Sequence, residues 1–139
     1  MPATTRPVVL AVDPGRQKCG IAVVDAEGRV LERGVVPTAQ MPERVKAWAE
    51  QYGAEHLILG DRTTAREALE ALLAAGLRLQ PIPVDEHQST EAARKRYFLE
   101  NPPRGWRRLI PTSLQVPPVP YDDYVAVILA ERFLDALRR

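Results

Sequence analysis

The chain has one cysteine, Cys19, two histidines and no long hydrophobic run. A single cysteine excludes an intrachain disulfide and any multi-cysteine zinc site, and inside an apolar segment it is expected as inert core. No stretch approaches the roughly 18–20 consecutive apolar residues a membrane-spanning helix needs, so no membrane association is expected. The opening MPATTRPVVLAVD lacks the basic, apolar, small-residue succession of a signal peptide, which makes the cytoplasm the default location. Nor does one sign of charge dominate: 19 Lys and Arg oppose 18 Asp and Glu, so overall charge does not advertise nucleic acid. What is present suits one soluble domain over residues 1–139: 45% apolar content is enough for a real core, and neither an internal repeat nor a linker divides the chain.

The charge is unevenly spread. Arg94, Lys95, Arg96, Arg104, Arg107 and Arg108 lie in one stretch opposed only by Glu100. Such a local patch can hold a phosphate backbone on a near-neutral domain; a solvated helix face followed by an arginine-rich loop is the plainer alternative.

Hydrophobic period orders the elements. Residues 7–13 (PVVLAVD) read as a buried strand, and 19–25 and 29–36 as two more joined by a tight turn at Glu27-Gly28. Val45, Trp48, Ala49 and Tyr52 mark an amphipathic helix stopped at Gly53. HLILG (56–60) is a short buried strand. A second helix follows, capped by Thr63 or Thr64, with an apolar stripe of Ala65, Ala68, Leu69, Leu72 and Leu73 and a stop at Gly76. Residues 79–85 form a fifth strand, peripheral because two prolines cannot donate to a ladder. Ser89 is expected to cap a helix running to about Glu100. Residues 101–121 carry six prolines and no clear period, and read as a long ordered or semi-mobile loop, of a length that is usually functional or disordered. An apolar helix covers 122–137. Three meandering strands followed by α/β alternation make a mixed five-stranded sheet with helices on its faces.

Three acids sit at element ends: Asp13 closes the first strand, Glu86 follows the fifth, and Asp122 opens the last helix. Ligands of α/β sheets bind beyond the carboxyl ends of the strands. If strands one and five are parallel, Asp13 and Glu86 emerge at the same edge. Asp122 shares a helical face with Val125, Ala126, Leu129 and Phe133, which must pack on the sheet and place it at the rim. Three carboxylates meeting there would repel one another unless a cation joined them, and hard oxygen donors favour Mg²⁺ or Mn²⁺. The matching chemistry is phosphodiester hydrolysis with two ions about 3.5–4 Å apart. Each acid alone also has a structural explanation, as turn, surface charge or helix cap.

The segment AVDPGRQKCGIAVVD resembles the opening of the YqgF family of Holliday-junction-resolvase-like and ribosomal RNA processing nucleases, through Asp13, Gly15, Gly20, Ala22 and Asp25. Asp85, Glu86, Ser89 and Thr90 are similar to the family's second block, and DDYVAVILAERFL, aligned on Asp122, to its third. RuvC-type resolvases share the Asp-Pro-Gly wording of residues 13–15. The resemblance implies an RNase H-like fold of class α/β with helices on both sheet faces. It also implies Asp13, Glu86 and Asp122 as the catalytic, metal-binding set. Asp123, adjacent to Asp122, could also ligate metal, but only Asp122 keeps the family register, so Asp123 ranks as support. The chain departs from the family at His87, where arginine is usual, at Gly60-Asp61-Arg62, and in its long proline-rich loop. His87 is a candidate proton shuttle. Arg16 and Lys18 in the first turn are candidate phosphate contacts, and Arg62, Thr63 and Thr64 candidate cleft residues. Arg94, Arg104, Arg107 and Arg108 could hold phosphates while Trp106 stacks on a base.

The leading expectation is a metal-dependent nuclease acting on structured or single-stranded RNA or DNA, in ribosomal RNA precursor processing or DNA repair. A RuvC-like junction resolvase is one alternative, and a nucleic-acid-binding module with little catalysis another. An actin-like kinase relative shares only the first block. A monomer or a homodimer is compatible with the sequence, junction cleavage requiring the dimer.

Overall fold

The computed structural model describes residues 7–61 and 64–138. Val9, Leu10, Ala11 and Val12 are wholly buried, which requires cover on both sides of the strand they form, β1 (Val9–Asp13). Side chains alternate across a strand, so one face of the sheet takes Leu10 and Val12 and the other Val9 and Ala11. β2 (Lys18–Val24) returns antiparallel to β1, and β3 (Val30–Pro37) antiparallel to β2. Their hairpin is held by Asp25, whose Oδ1 accepts from the backbone N–H groups of Glu27 and Arg29, both at 2.9 Å. Asp25, part of the family-like pattern, is therefore a turn residue.

The chain then crosses through a 3₁₀ turn (Thr38–Gln40) and α1 (Met41–Tyr52) to β4 (His56–Gly60), which lies parallel to β1. α2 (Ala65–Ala74) leads to β5 (Pro81–Val84), parallel to β4. The strand order is β3-β2-β1-β4-β5. β5 is an edge strand with half-exposed or exposed residues, as its two prolines predict. On one face Leu10, Val12, Ile21 and Leu57 meet Val45 and Trp48 of α1 and Leu72 of α2. On the other, Val9, Ala11, Ala22 and Ile58 meet α4 (Asp122–Arg138) through Ala126, Leu129 and Ala130. α3 (Ser89–Glu100) packs beside α4 through Ala93, Tyr124 and Val125.

Three details differ from expectation. Leu73, placed in the apolar stripe of α2, is 56% exposed. Thr64 precedes α2, but its hydroxyl donates to the Pro14 carbonyl (3.1 Å) instead of capping the helix. Ser89 is not the cap of α3: Gln88 holds that position in a left-handed conformation (φ 58°), and Ser89 is the first helical residue with a fully buried Oγ that makes no hydrogen bond. Residues 101–121, expected as a long ordered or semi-mobile loop, carry 3₁₀ turns at Gly105–Leu109 and Thr112–Leu114. Among the described residues no helix is long and apolar enough to cross a membrane.

Candidate active site

Register brings the acids together. Asp13 pairs with Gly20 of β2 on one side. On the other, Val12 pairs with Leu59 of β4, so Asp13 is level with Gly60, which in turn pairs with Val84 of β5. Residues level across a sheet project to the same face, here the α4 face. A Cβ on Gly20 would meet the backbone at the start of α4, coming within 2.6 Å of Asp123 N and closer still to the Asp122 carbonyl. A Cβ on Gly60 would stand 2.5 Å from Glu86 Oε2 and 2.9 Å from Glu86 Cγ. The side-chain positions on either side of Asp13 are thus taken by the beginning of α4 and by the Glu86 carboxylate. Because β1, β4 and β5 are parallel, this row lies at the carboxyl edge of all three.

Glu86 is held by its backbone. Its N–H donates to Asp61 Oδ1 (3.2 Å), its carbonyl accepts from Ser89 N–H (2.9 Å), and Arg132 Nη1 of α4 donates to the neighbouring Asp85 carbonyl (2.9 Å). Glu86 and Asp13 are both buried, at 3% and 7% exposure. Asp122 is more open and reaches Lys18 Nζ through Oδ2 at 3.2 Å. A cleft of about 420 Å³ is lined by Asp13, Asp122, Lys18, Thr90 and Tyr121, with Pro118 of the preceding loop at its wall. Glu86 lies outside this lining.

The adjacent aspartates diverge. Asp123 is buried and accepts from Arg33 Nη1 of β3 at 2.8 Å and from the Tyr124 N–H at 3.0 Å. The Arg33 guanidinium also lies 4.3 Å from the centre of the Tyr124 ring. Burial pushes the Tyr124 phenol above its ordinary value; its hydroxyl donates to Glu100 Oε1 at 3.2 Å. Arg33 carried no recognisable sequence signal. Gly20 and Gly60 were visible as letters, but only the register gives them a role.

As placed, no three His, Cys, Asp or Glu side chains among the described residues stand close enough together to hold a metal ion. The cation at Asp122 is Lys18. In kind, however, the donors suit a hard divalent ion: they are all carboxylates, two of them buried, with a glycine level with Asp13 on each side.

The remaining candidates are dispersed. Arg16 faces a separate hollow of about 370 Å³ on the far side of the β1–β2 turn, with Thr64 and Glu67. His87 is exposed, its backbone N–H bound to Asp85 Oδ1 (2.9 Å), and it does not line the carboxylate cleft. Arg62 and Thr63 lie outside the described residues. Arg94 lines a small recess against Thr112, while Arg104, Trp106 and Arg107 line a groove of about 680 Å³ and Arg108 is exposed. The cationic run is thinner than it reads. Arg96 is tied to Glu100 (2.8 Å) and to Glu131 of α4 (2.7 Å).

No protein-family model matches the chain, and no curated protein matches it. Solved structures do. RuvC from Thermus thermophilus superposes with a TM-score of 0.56 at 18% identity, over 88% of this chain and 90% of that one. The large terminase nuclease from the thermophilic phage G20c superposes with a TM-score of 0.54 at 22% identity, over 91% and 82%. The chain has the RNase H-like fold. These likenesses bear on the fold, and the YqgF resemblance rests on its three motif blocks.

Proposed function

We propose that this RNase H-like protein is a metal-dependent nuclease whose ions are held by Asp13, Glu86 and Asp122. The observation that carries the reading is the glycine-bracketed row, which sets a buried aspartate between a buried glutamate and the first turn of α4 at one sheet edge. Divalent ions held there supply what phosphodiester hydrolysis needs, a water of lowered pKa and positive charge beside the leaving oxygen. The chain's own contributions are distinct. The sheet row fixes Asp13, and the Asp61 and Arg132 contacts fix the backbone on either side of Glu86. Lys18, paired with Asp122 at 3.2 Å, would be free to present its ammonium to a substrate phosphate if an ion held Asp122. Asp123, engaged by Arg33, anchors the first turn of α4 and is not part of the ligand set. Ribosomal RNA precursors and branched DNA are the substrates we favour. The likeness to the terminase nuclease and the Asp-Pro-Gly wording shared with RuvC-type resolvases support a nucleic-acid substrate.

The test is cleavage of labelled structured RNA, single-stranded DNA and a four-way junction with Mg²⁺ or Mn²⁺. Asp13→Asn and Glu86→Gln should each reduce cleavage by more than the roughly 10- to 100-fold typical of residues that only support metal ligands. Mn²⁺ titration by calorimetry should weaken in parallel. Cleavage by Asp13→Asn equal to wild type, or unaffected by a chelator, refutes the assignment.

A further inference from the structure

The loop before α4 has a composition the carboxylate site does not explain. Between Asn101 and Tyr121 there are three arginines and no acidic residue. Six of the ten exposed large hydrophobic residues among the described residues fall between positions 99 and 119, with Trp106 at 69% and Leu109 at 82% exposure. The segment is nonetheless fastened. Gln115 Nε2 donates to the carbonyls of Arg107 and Ile110, both at 2.9 Å, tying its two 3₁₀ turns together. Trp106 stands on this platform with the Arg107 guanidinium 5.7 Å from its ring centre.

Two hollows meet along this loop. Pro118 lines both the cleft that holds Asp13 and Asp122 and the 680 Å³ groove that holds Trp106, Arg104, Arg107 and Tyr97. A polyanion leaving the carboxylates over Pro118 therefore enters a groove lined by Arg104 and Arg107, by Glu100, which Arg96 engages, and by three aromatic side chains, Tyr97, Phe98 and Trp106. Duplex nucleic acid keeps its base faces stacked inside, whereas a single strand can offer them to aromatic rings.

We propose that this groove is a subsite for an unpaired stretch of the substrate: Trp106 stacks on a base several nucleotides from the scissile phosphate while Arg104 and Arg107 hold the intervening backbone. The proposal rests on the nuclease reading, since it names the form of nucleic acid that reading leaves open. Its test is a binding measurement, so the two can fail separately. A second copy of the chain is a poorer occupant, because a self-complementary contact would set these arginines against one another.

The experiment uses the full chain carrying Asp13→Asn, to suppress cleavage, and fluorescent oligonucleotides, single-stranded and duplex, of equal length. Trp106→Ala should weaken single-strand binding by about five- to a hundredfold, the range of one lost base–aromatic stack, and duplex binding by less than about twofold. Trp106→Phe should retain most of the affinity. Removing Arg104 and Arg107 together should flatten the dependence of single-strand binding on salt by about 0.7 per lost phosphate contact. Trp106 is exposed, so its replacement leaves the core intact, and circular dichroism checks this. Equal loss for single strand and duplex, or no loss for either, overturns the proposal. So does a groove that binds an acidic, leucine-bearing peptide in a Trp106-dependent way and no single strand, which would make it a protein-docking surface. Single-strand binding through Trp106 with no metal-dependent cleavage by the wild type would uphold the subsite and sink the nuclease reading.

Discussion

The two glycines level with Asp13 make opposite predictions from the same substitution. At Gly20 an added Cβ meets backbone, 2.6 Å from Asp123 N and nearer to the Asp122 carbonyl. That is about 1 Å or more inside the ~3.5 Å of ordinary contact, so the first turn of α4 must retreat from the sheet. Retreat strains the packing of Ala126, Leu129 and Ala130 against Val9, Ala11 and Ala22. Gly20→Ala should therefore cost about 1–3 kcal/mol or somewhat more, the range for overpacked cores, and lower the midpoint of denaturant unfolding. At Gly60 the same atom meets no backbone but the Glu86 side chain from Cγ outward, so that side chain must shift. Gly60→Ala should leave stability within about 1 kcal/mol of wild type while displacing the Glu86 carboxylate by about 1 Å, a misplacement that can lower a rate about 100-fold. Paired urea titrations and cleavage assays separate the two effects. If Gly60→Ala cleaves at the wild-type rate, Glu86 does not act from the position above Gly60. If Gly20→Ala is as stable as wild type, the close approach of α4 is wrong.

Two further outcomes follow from the ion pair and the tyrosines. Arg33→Met removes a charged donor from buried Asp123 and should cost about 1–3 kcal/mol, less than a fully buried pair because the Arg33 side chain is 39% exposed. Adding Asp123→Asn should recover part of that loss, and the double variant, once folded, should still cleave. Additive losses would dissolve the pair, and abolished cleavage would return Asp123 to the metal site. Tyr52 and Tyr124 both have raised phenol values, the first because its hydroxyl donates to Glu32 and the second because of burial. The unfolded chain therefore loses these protons first, so stability should be flat below about pH 10 and fall as pH rises from there through the folded values. Replacing both by phenylalanine should flatten that alkaline limb in melting curves followed alongside tyrosinate absorbance. An unchanged limb would refute the linkage.

Hydrophobic period made the sheet legible because local alternation and burial agree: β4 carries its expected bounds, β1 lies within residues 7–13, and α4 opens at Asp122. The errors fall where a distant partner overrides a local signal. Thr64 has the form of a cap, but its hydroxyl goes to Pro14, fifty positions earlier. Ser89 also has the form of a cap, yet the Gln88 backbone turns first and carries the serine inside the helix. Leu73 continues a stripe by spacing, yet Leu72 beside it takes the fully buried position and Leu73 stays 56% exposed.

The acids were legible as residues at element ends, and their order implied a shared edge. What order could not supply is the choice between Asp122 and Asp123, neighbours in one helical turn. Motif register favoured Asp122, and the proposed ligand set rests besides on the different contacts of the two side chains. Successive helical positions point about 100° apart, so only one of the pair can face the row that holds Asp13. Arg33, ninety positions before Asp123, takes that side chain on the β3 side. Lys18, at the start of β2, meets Asp122 at the cleft that Asp13 also lines. The two basic residues sort the two aspartates. Asp123 is buried against Arg33, whereas Asp122 and the half-exposed Lys18 meet at a cleft, the difference on which the proposed choice of Asp122 rests.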